Sequence, residues 1–262
     1  MVKVRCPRCS CEKLYRLGNG KRRCSNCRYD FVPHRLPLYL TRDQWKEIIS
    51  WFLLGQSSQT IANRTSIERK RVLRALTLIR RALVTDVPEI FSGTVEVDET
   101  YLGGQWKNKR KSIRDMGTKR GRGTQKQPFF GILCRNGLVW AEIVKSVEAE
   151  TLQPLISSKV RIGSIVCSDT WRGYTGIASR GFVHRLVNHG ERQYSDGRGN
   201  HINGLEGFWG YLKRKLASKG GIRREKLPLY LGEYVWRYNH RKDGDKMKLK
   251  RILELLEKEA GG

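Results

Sequence analysis

Between residues 94 and 102 apolar and polar side chains alternate: Val95 and Val97 against Glu96 and Asp98, with Thr94, Thr100 and Tyr101 strengthening the run and Gly103-Gly104 closing it. A period of two is the pattern of a β-strand, with the valines on one face and the acids on the other. Pro128–Cys134 and Leu138–Val144 predict two more strands around the hairpin dipeptide Asn136-Gly137. Glu148 to Ser158 predicts a helix, Ile162 to Cys167 a strand running up to Asp169, and Phe182 to Val187 a further strand. His201 to Leu216 carries the clearest helical period, with Ile202, Leu205, Trp209, Leu212 and Leu216 at steps of 3, 4, 3 and 4. Three strands, a helix, a strand and then helices predict an α/β sheet of mixed direction.

Ahead of this region the period is helical throughout. Thr41 suits an N-cap and is followed by Trp45, Ile48, Ile49 and Phe52, with Gly55 as the stop. Ser57 to Asn63 predicts a short second helix with Ile61 and Ala62 inward. Ser66 opens a third, whose apolar stripe is Val72, Leu73, Leu76, Ile79 and Leu83. Its other side carries Arg69, Lys70, Arg71, Arg74, Arg80 and Arg81. Three short helices ending in a basic one predict a helix-turn-helix whose last helix enters a major groove.

The first 32 residues have no such period. They carry Cys6-Pro-Arg-Cys9 and Cys24-Ser-Asn-Cys27, with fourteen residues between Cys9 and Cys24. Four thiolates from two such knuckles complete a tetrahedral Zn²⁺ shell. A segment this short cannot bury a core, so the metal is expected to supply its folding energy. Cys11 does not fit the knuckle spacing.

Charge narrows the partners. Lys and Arg number 52 against 25 Asp and Glu, a formal charge of +27 in 262 residues, which favours a polyanion, most simply nucleic acid. There is no apolar run near membrane-spanning length, no lipidation motif and no basic amphipathic anchor, so a membrane is not expected. The N-terminus lacks the apolar region of a signal peptide; a cytoplasmic, nucleoid-associated protein is expected, whose cysteines are ligands or free thiols. Residues 105–127 hold nine Lys or Arg and one acid, Asp115. They predict a flexible basic insertion whose Lys107, Lys109, Arg110, Lys111, Arg120 and Arg122 contact nucleic acid.

Three acids carry the candidate chemistry. Asp98 lies on a strand, Asp169 just past a buried strand, at the rim where open α/β sheets place their chemistry, and Glu206 on a helix. Acids so distributed can converge on two divalent cations for phosphodiester chemistry. Asn203, Glu206, Gly207, Gly210 and Lys213 form one track along that helix. The two glycines each cost about 1 kcal/mol relative to alanine, which suggests a face that something approaches closely. Lys213, two turns from Glu206, suits a phosphate.

The order zinc ribbon, helix-turn-helix, Val-Asp-Glu-Thr-Tyr-Leu-Gly-Gly, Ser-Asp-Thr-Trp-Arg-Gly-Tyr and His-Ile-Asn-Gly-Leu-Glu-Gly-Phe-Trp-Gly-Tyr-Leu-Lys-Arg resembles bacterial and archaeal insertion-sequence transposases. It is similar to the group with a DDE catalytic domain of RNase H-like fold, remotely related to retroviral integrases, and Trp-Arg-Tyr-Asn-His-Arg at 236–241 extends the likeness. The resemblance implies that Asp98 and Asp169 are the first two metal-binding acids. Members of the group use either acid or asparagine third; Glu206 is chosen over Asn203 because three carboxylates better neutralise two cations. It further implies two Mg²⁺ (or Mn²⁺) ions beside the structural Zn²⁺, double-stranded DNA as partner, with Lys213 and Arg214 among its contacts, and a homodimer or higher oligomer on that DNA. The expected layout is a ribbon at 1–32, a helix-turn-helix at 38–86, a catalytic domain at 92–240 and a helical tail at 241–262. The competing expectations are a zinc-ribbon regulator with an inert acid cluster and an RNase H-like nuclease.

Overall fold

The computed structural model describes residues 4–18, 20–32, 36–103, 111–112, 126–135, 137–187 and 203–260. The chain divides into two units, Met1–Asp86 with Lys242–Gly262, and Val87–Arg241.

The first unit begins with three short antiparallel strands, β1 (Leu14–Arg16), β2 (Arg22–Cys24) and β3 (Asp30–Phe31). Helices α1 (Arg42–Leu53), α2 (Ser58–Thr65) and α3 (Arg69–Val84) follow. Thr41 caps α1 reciprocally with Gln44, and Ser57 caps α2 by accepting from the Thr60 N–H. Both caps satisfy main-chain donors that the first helical turn leaves without partners. Ser66, at φ 53°, makes the tight turn into α3.

Trp45, Ile48, Ile49 and Phe52 of α1 meet Val72, Leu76, Ile79 and Leu83 of α3 in a buried interior. Leu73, expected in that stripe, is instead 44% exposed, because Ala75 and Ala82 complete the inward face. The chain's last helix, which we label α7 (Asp245–Ala260), is not a free tail. It packs on α1 and α3 and buries Ile252, Leu253 and Leu256. Its Arg251 donates to both oxygens of Asp86, from Nε and from Nη2 (2.7 Å), and Arg42 pairs with Glu257.

The second unit is built on a five-stranded sheet. Its strands are β4 (Thr94–Leu102), β5 (Gln127–Cys134), β6 (Val139–Ile143), β7 (Ile165–Ser168) and β8 (Val183–Leu186), in the order β6-β5-β4-β7-β8. The first three are antiparallel in succession, and β7 and β8 join parallel. This is the RNase H-like mixed sheet. The expected strand at Ile162 starts three residues later: Ile162 is 73% exposed and Gly163 turns the chain at φ +84°. Leu102 pairs with Gln127, so the basic insertion joins two paired strands. Of its expected contact residues only Lys111, exposed, is described; Lys107, Lys109, Arg110, Arg120 and Arg122 lie outside the described residues, as do Asn136, His201 and Ile202.

Helix α4 (Ala149–Lys159) covers one face with Leu152 and Ile156, against Val95, Val97, Phe130, Ile132 and Val166. Helices α5 (Asn203–Ala217) and α6 (Leu227–Asn239) cover the other, where Leu205, Phe208, Trp209, Leu212, Tyr234 and Val235 meet Phe129 and Leu133. The strand β4 is therefore central and covered on both faces, and its Glu96 and Asp98 point under α5 rather than into solvent. The familiar stretch at 236–241 closes an edge of this sheet. Asn239 accepts from the Val139 N–H at 2.8 Å and donates to the Val139 carbonyl at 2.9 Å, and Arg241 donates to the Gly137 carbonyl. Edge groups satisfied this way cannot template pairing with another chain.

Candidate active site

Strands β4 and β7 run side by side in the same direction, with Glu96 opposite Cys167. Beyond that last pair, Asp98 in β4 and Asp169 just past β7 lie near enough for the Asp169 charge to act on Asp98. Asp169 lies one residue beyond β7, and its Oδ1 accepts from the Trp171 N–H at 2.9 Å. That aspartate turn ends the strand and aims the carboxylate.

The residues after it hold the turn. The Trp171 indole donates to the Val147 carbonyl at 2.9 Å, and a Cβ on Gly173 would come within 2.7 Å of both groups. Tyr174 is fully buried and its hydroxyl donates to Glu99 Oε2 at 2.7 Å. Burial and the neighbouring carboxylates of Glu99, Asp98 and Asp169 keep that phenol protonated well above its usual range. Within Ser-Asp-Thr-Trp-Arg-Gly-Tyr, Asp169, Trp171, Gly173 and Tyr174 thus have geometric duties, while Arg172 makes an exposed ion pair with Glu148 at 3.3 Å.

Asp98 is held by α5. Its Oδ2 accepts from the Trp209 indole N–H at 3.1 Å. Burial, then the charges of Glu99 and Asp169, push its carboxyl up to about 8. Crowded acids in a partly desolvated place are costly to ionise without a counter-charge, and a cation is the group that would supply it. The indole reaches Asp98 by lying across Gly131, the β5 residue paired with Asp98. A Cβ at Gly131 would sit 2.7 and 2.9 Å from the ring. Gly131→Ala is therefore expected to destabilise this unit by about 1–3 kcal/mol, the usual cost of overpacking. Urea denaturation checks this, and an unchanged midpoint would mean that the indole can move aside freely.

Glu206 lies in the first turn of α5, exposed, as are Asn203, Lys213 and Arg214. At 3.6 residues per turn, Glu206 and Lys213 fall about 60° and 40° around the helix from Trp209, and Asn203 about 120°. The first two therefore share one flank of α5, the same side of Trp209. The structure brings Asp98 and Asp169 together. It does not close all three carboxylates to within 4.8 Å of one another; among the described residues that distance is met only by the sulfurs of Cys6, Cys9, Cys24 and Cys27. In that group Cys6 and Cys27 are 3.5 Å apart and Cys9 and Cys24 3.4 Å. The Cys9 thiol is lowered to about 6, first by the main chain at Cys11 and then by its thiol neighbours. Cys11 turns instead toward Ser25 and the Lys13 carbonyl.

On α3, Arg69, Lys70, Arg71, Arg74 and Arg81 are exposed together, while Arg80 is half-buried over the Phe52 ring. Sequence reasoning missed Glu96, Tyr174 and the polar duty of Trp209. The signal for Glu96 was present: it shares its face with Asp98, two residues away. Trp209 stood in an apolar stripe, which conceals the use of an indole N–H.

The strand order β6-β5-β4-β7-β8 is that of an RNase H-like sheet, with Asp98 inside the central strand and Asp169 just past its parallel neighbour. Residues 90–239, more than half of the chain, match the model of the ISXO2-like transposase domain, and the chain belongs to that family of DNA transposases. An uncharacterized transposase-like protein of Haemophilus influenzae is 38% identical over 102 residues, covering 39% of this chain and 81% of its own. An uncharacterized protein in transposable element ISH50 of Halobacterium salinarum is 25% identical over 270 residues, covering 96% and 90%. Among solved structures, the chain is similar to the catalytic core domain of BIV integrase (TM-score 0.38, 14% identity, 59% of this chain and 87% of that one). A chain of a pre-cleavage Mos1 transpososome matches with TM-score 0.30 and 12% identity, over 82% of this chain and 78% of its own. Among the described residues no helix is long and apolar enough to cross a membrane.

Proposed function

We propose that this transposase binds the ends of its insertion sequence, cleaves there and joins the freed 3′ hydroxyls to target DNA, using Asp98, Asp169 and Glu206. The observation that carries this reading is the closeness of Asp98 in β4 to Asp169 just past the parallel strand β7, with Asp98 raised by burial and then by the neighbouring acids Glu99 and Asp169. Hard carboxylate oxygens suit Mg²⁺ or Mn²⁺, and these three residues would hold two such ions. When bound, the ions activate the attacking hydroxyl and steady the departing oxygen.

The chain's own groups prepare that site. The Trp209 indole fixes one oxygen of Asp98, and the Trp171 N–H one oxygen of Asp169. Lys213 and Arg214, exposed on α5, would neutralise phosphates of the DNA end. Cys6, Cys9, Cys24 and Cys27 would hold one structural Zn²⁺. α2 and α3 would act as the helix-turn-helix, with α3 in a major groove, and the basic insertion would add backbone contacts. Two or more copies would assemble on the DNA, since an element has two ends to be processed together.

The direct test is incubation with a plasmid carrying the element's ends. Mg²⁺-dependent nicks at those ends are expected, and binding without any cleavage in Mg²⁺ or Mn²⁺ would leave only the regulator. Phosphate contacts predict a second result. Affinity should fall with salt at a log–log slope of about −0.9 per phosphate neutralised. Arg69→Ala with Arg74→Ala should flatten it by roughly 2. A slope that does not change in filter-binding titrations would remove α3 from the interface.

A further inference from the structure

Glu96 is a buried carboxylate, 1% exposed, in the middle of a sheet. It lies on β4 two residues before Asp98, on the same face, and its Oε2 accepts from the Leu205 N–H at 2.9 Å. Leu205 is the third residue of α5, so this N–H is one of those that a first helical turn leaves without an intrahelical partner. A remote strand thus does what a local capping residue ordinarily does, and the negative charge sits at the favourable end of the helix dipole. The fit is close. A Cβ on Gly204 would lie 3.0 and 3.2 Å from the two carboxylate oxygens and 3.2 Å from Leu133. A methyl there would press on the carboxylate and on Leu133, so glycine lets the first turn sit closest.

One turn further on, Trp209 donates to Asp98. Glu96 to Asp98 is two strand residues, about 6.7 Å; Leu205 to Trp209 is four helical residues, about 6 Å. The two spacings match, so α5 lies along β4 and is held at two heights. Glu206 sits between those two holds.

We propose that Glu96 is a positioning residue: by capping the first turn of α5 it sets the height at which the third acid stands against Asp98 and Asp169. The proposal rests on the reading of those acids as a cation site. A helix with only the Trp209 hold could slide or fray at its first turn, the turn that carries Glu206. With Glu96 in place a one-turn slip would break both bonds together.

The test uses the full-length, zinc-loaded protein and Mn²⁺ alone as probe, read by electron paramagnetic resonance, beside hydrogen exchange at the Leu205 amide. In Glu96→Ala the Leu205 amide should exchange at least about tenfold faster, and Mn²⁺ affinity per folded molecule should fall about 10- to 100-fold, as when a supporting contact of a metal ligand is lost. Glu96→Gln keeps an acceptor oxygen and should restore most of both. Gly204→Ala removes no charge yet forces the turn away from the carboxylate, and should also weaken Mn²⁺. The proposal is overturned if Glu96→Ala lowers only the melting temperature, with Leu205 exchange and Mn²⁺ affinity of the folded protein unchanged. Should Glu96→Ala not fold, wild-type Mn²⁺ affinity in Gly204→Ala overturns it. Asp98→Asn separates the two readings. If that variant binds Mn²⁺ as the wild type does, the cation site is misassigned, and Leu205 exchange alone decides whether Glu96 holds the helix.

Discussion

Asp98→Asn and Asp169→Asn are expected to abolish strand cleavage and joining, measured on a plasmid carrying the element's ends, while DNA binding persists. Each removes a charged oxygen donor from a site proposed to supply several kcal/mol of charge stabilisation, so a loss on the order of 10³-fold or more is expected. Neither changes side-chain shape, and the DNA-contacting groups proposed on α3 and α5 are untouched. Glu206→Gln should match them. Asn203→Ala should cost only about 10- to 100-fold, the loss expected of a supporting group. A dead Asn203→Ala beside an active Glu206→Gln would move the third ligand one helical turn, against the placement of Glu206 nearer to Trp209 around α5. Lys213→Ala should weaken the hold on the DNA end and leave the Mg²⁺ requirement unchanged.

The same substitution has an opposite effect on stability. Burial and neighbouring acids raise Asp98 from 3.8 to about 8 in the folded chain. The folded state therefore holds this proton more tightly than the unfolded chain does. The stability it contributes is complete below about pH 4 and is lost as pH rises through about 8. Asn carries no such proton, so metal-free Asp98→Asn should melt higher than the wild type at pH 8, with a smaller difference at pH 5. A site kept unstable for its function behaves in this way. Equal melting temperatures at pH 8 would show that Asp98 is not desolvated as the structure has it.

Removing the zinc should unfold the ribbon and little else. Its strands are three, three and two residues long, far below what holds a sheet by itself. Among the described residues of the ribbon, Cys6 and Cys24 are the buried ones. Metal binding is worth about 10–16 kcal/mol in small zinc modules, so Cys24→Ser or chelation should remove one equivalent of zinc per chain and the ribbon's order with it. Residues 87–241 have cores of their own and should keep their melting transition. Freshly purified protein without zinc in elemental analysis would exclude the proposal. An intact ribbon in Cys24→Ser would show that the thiols are not its scaffold.

The sequence by itself determined the periodic elements and their chemistry. Alternation around Val95 and Val97 placed Asp98 on a strand, steps of three and four placed Trp209 and Leu212 on the inner face of a helix, and two cysteine knuckles marked the metal group. The resemblance to insertion-sequence transposases lay in the same stretches, and the family match agrees with it. These features are local: a side chain's face follows from the repeat of its own element. What covers that face does not. Only the tertiary structure decided that β4 is central, that Glu96 is buried beneath the first turn of α5, and that parallel pairing of β4 with β7 brings Asp98 near Asp169, 71 positions away. Likewise the helix at Asp245–Ala260 joins α1 and α3 across more than 150 residues of chain. Such pairings depend on which surfaces meet at long range, and no repeat within one segment carries that information.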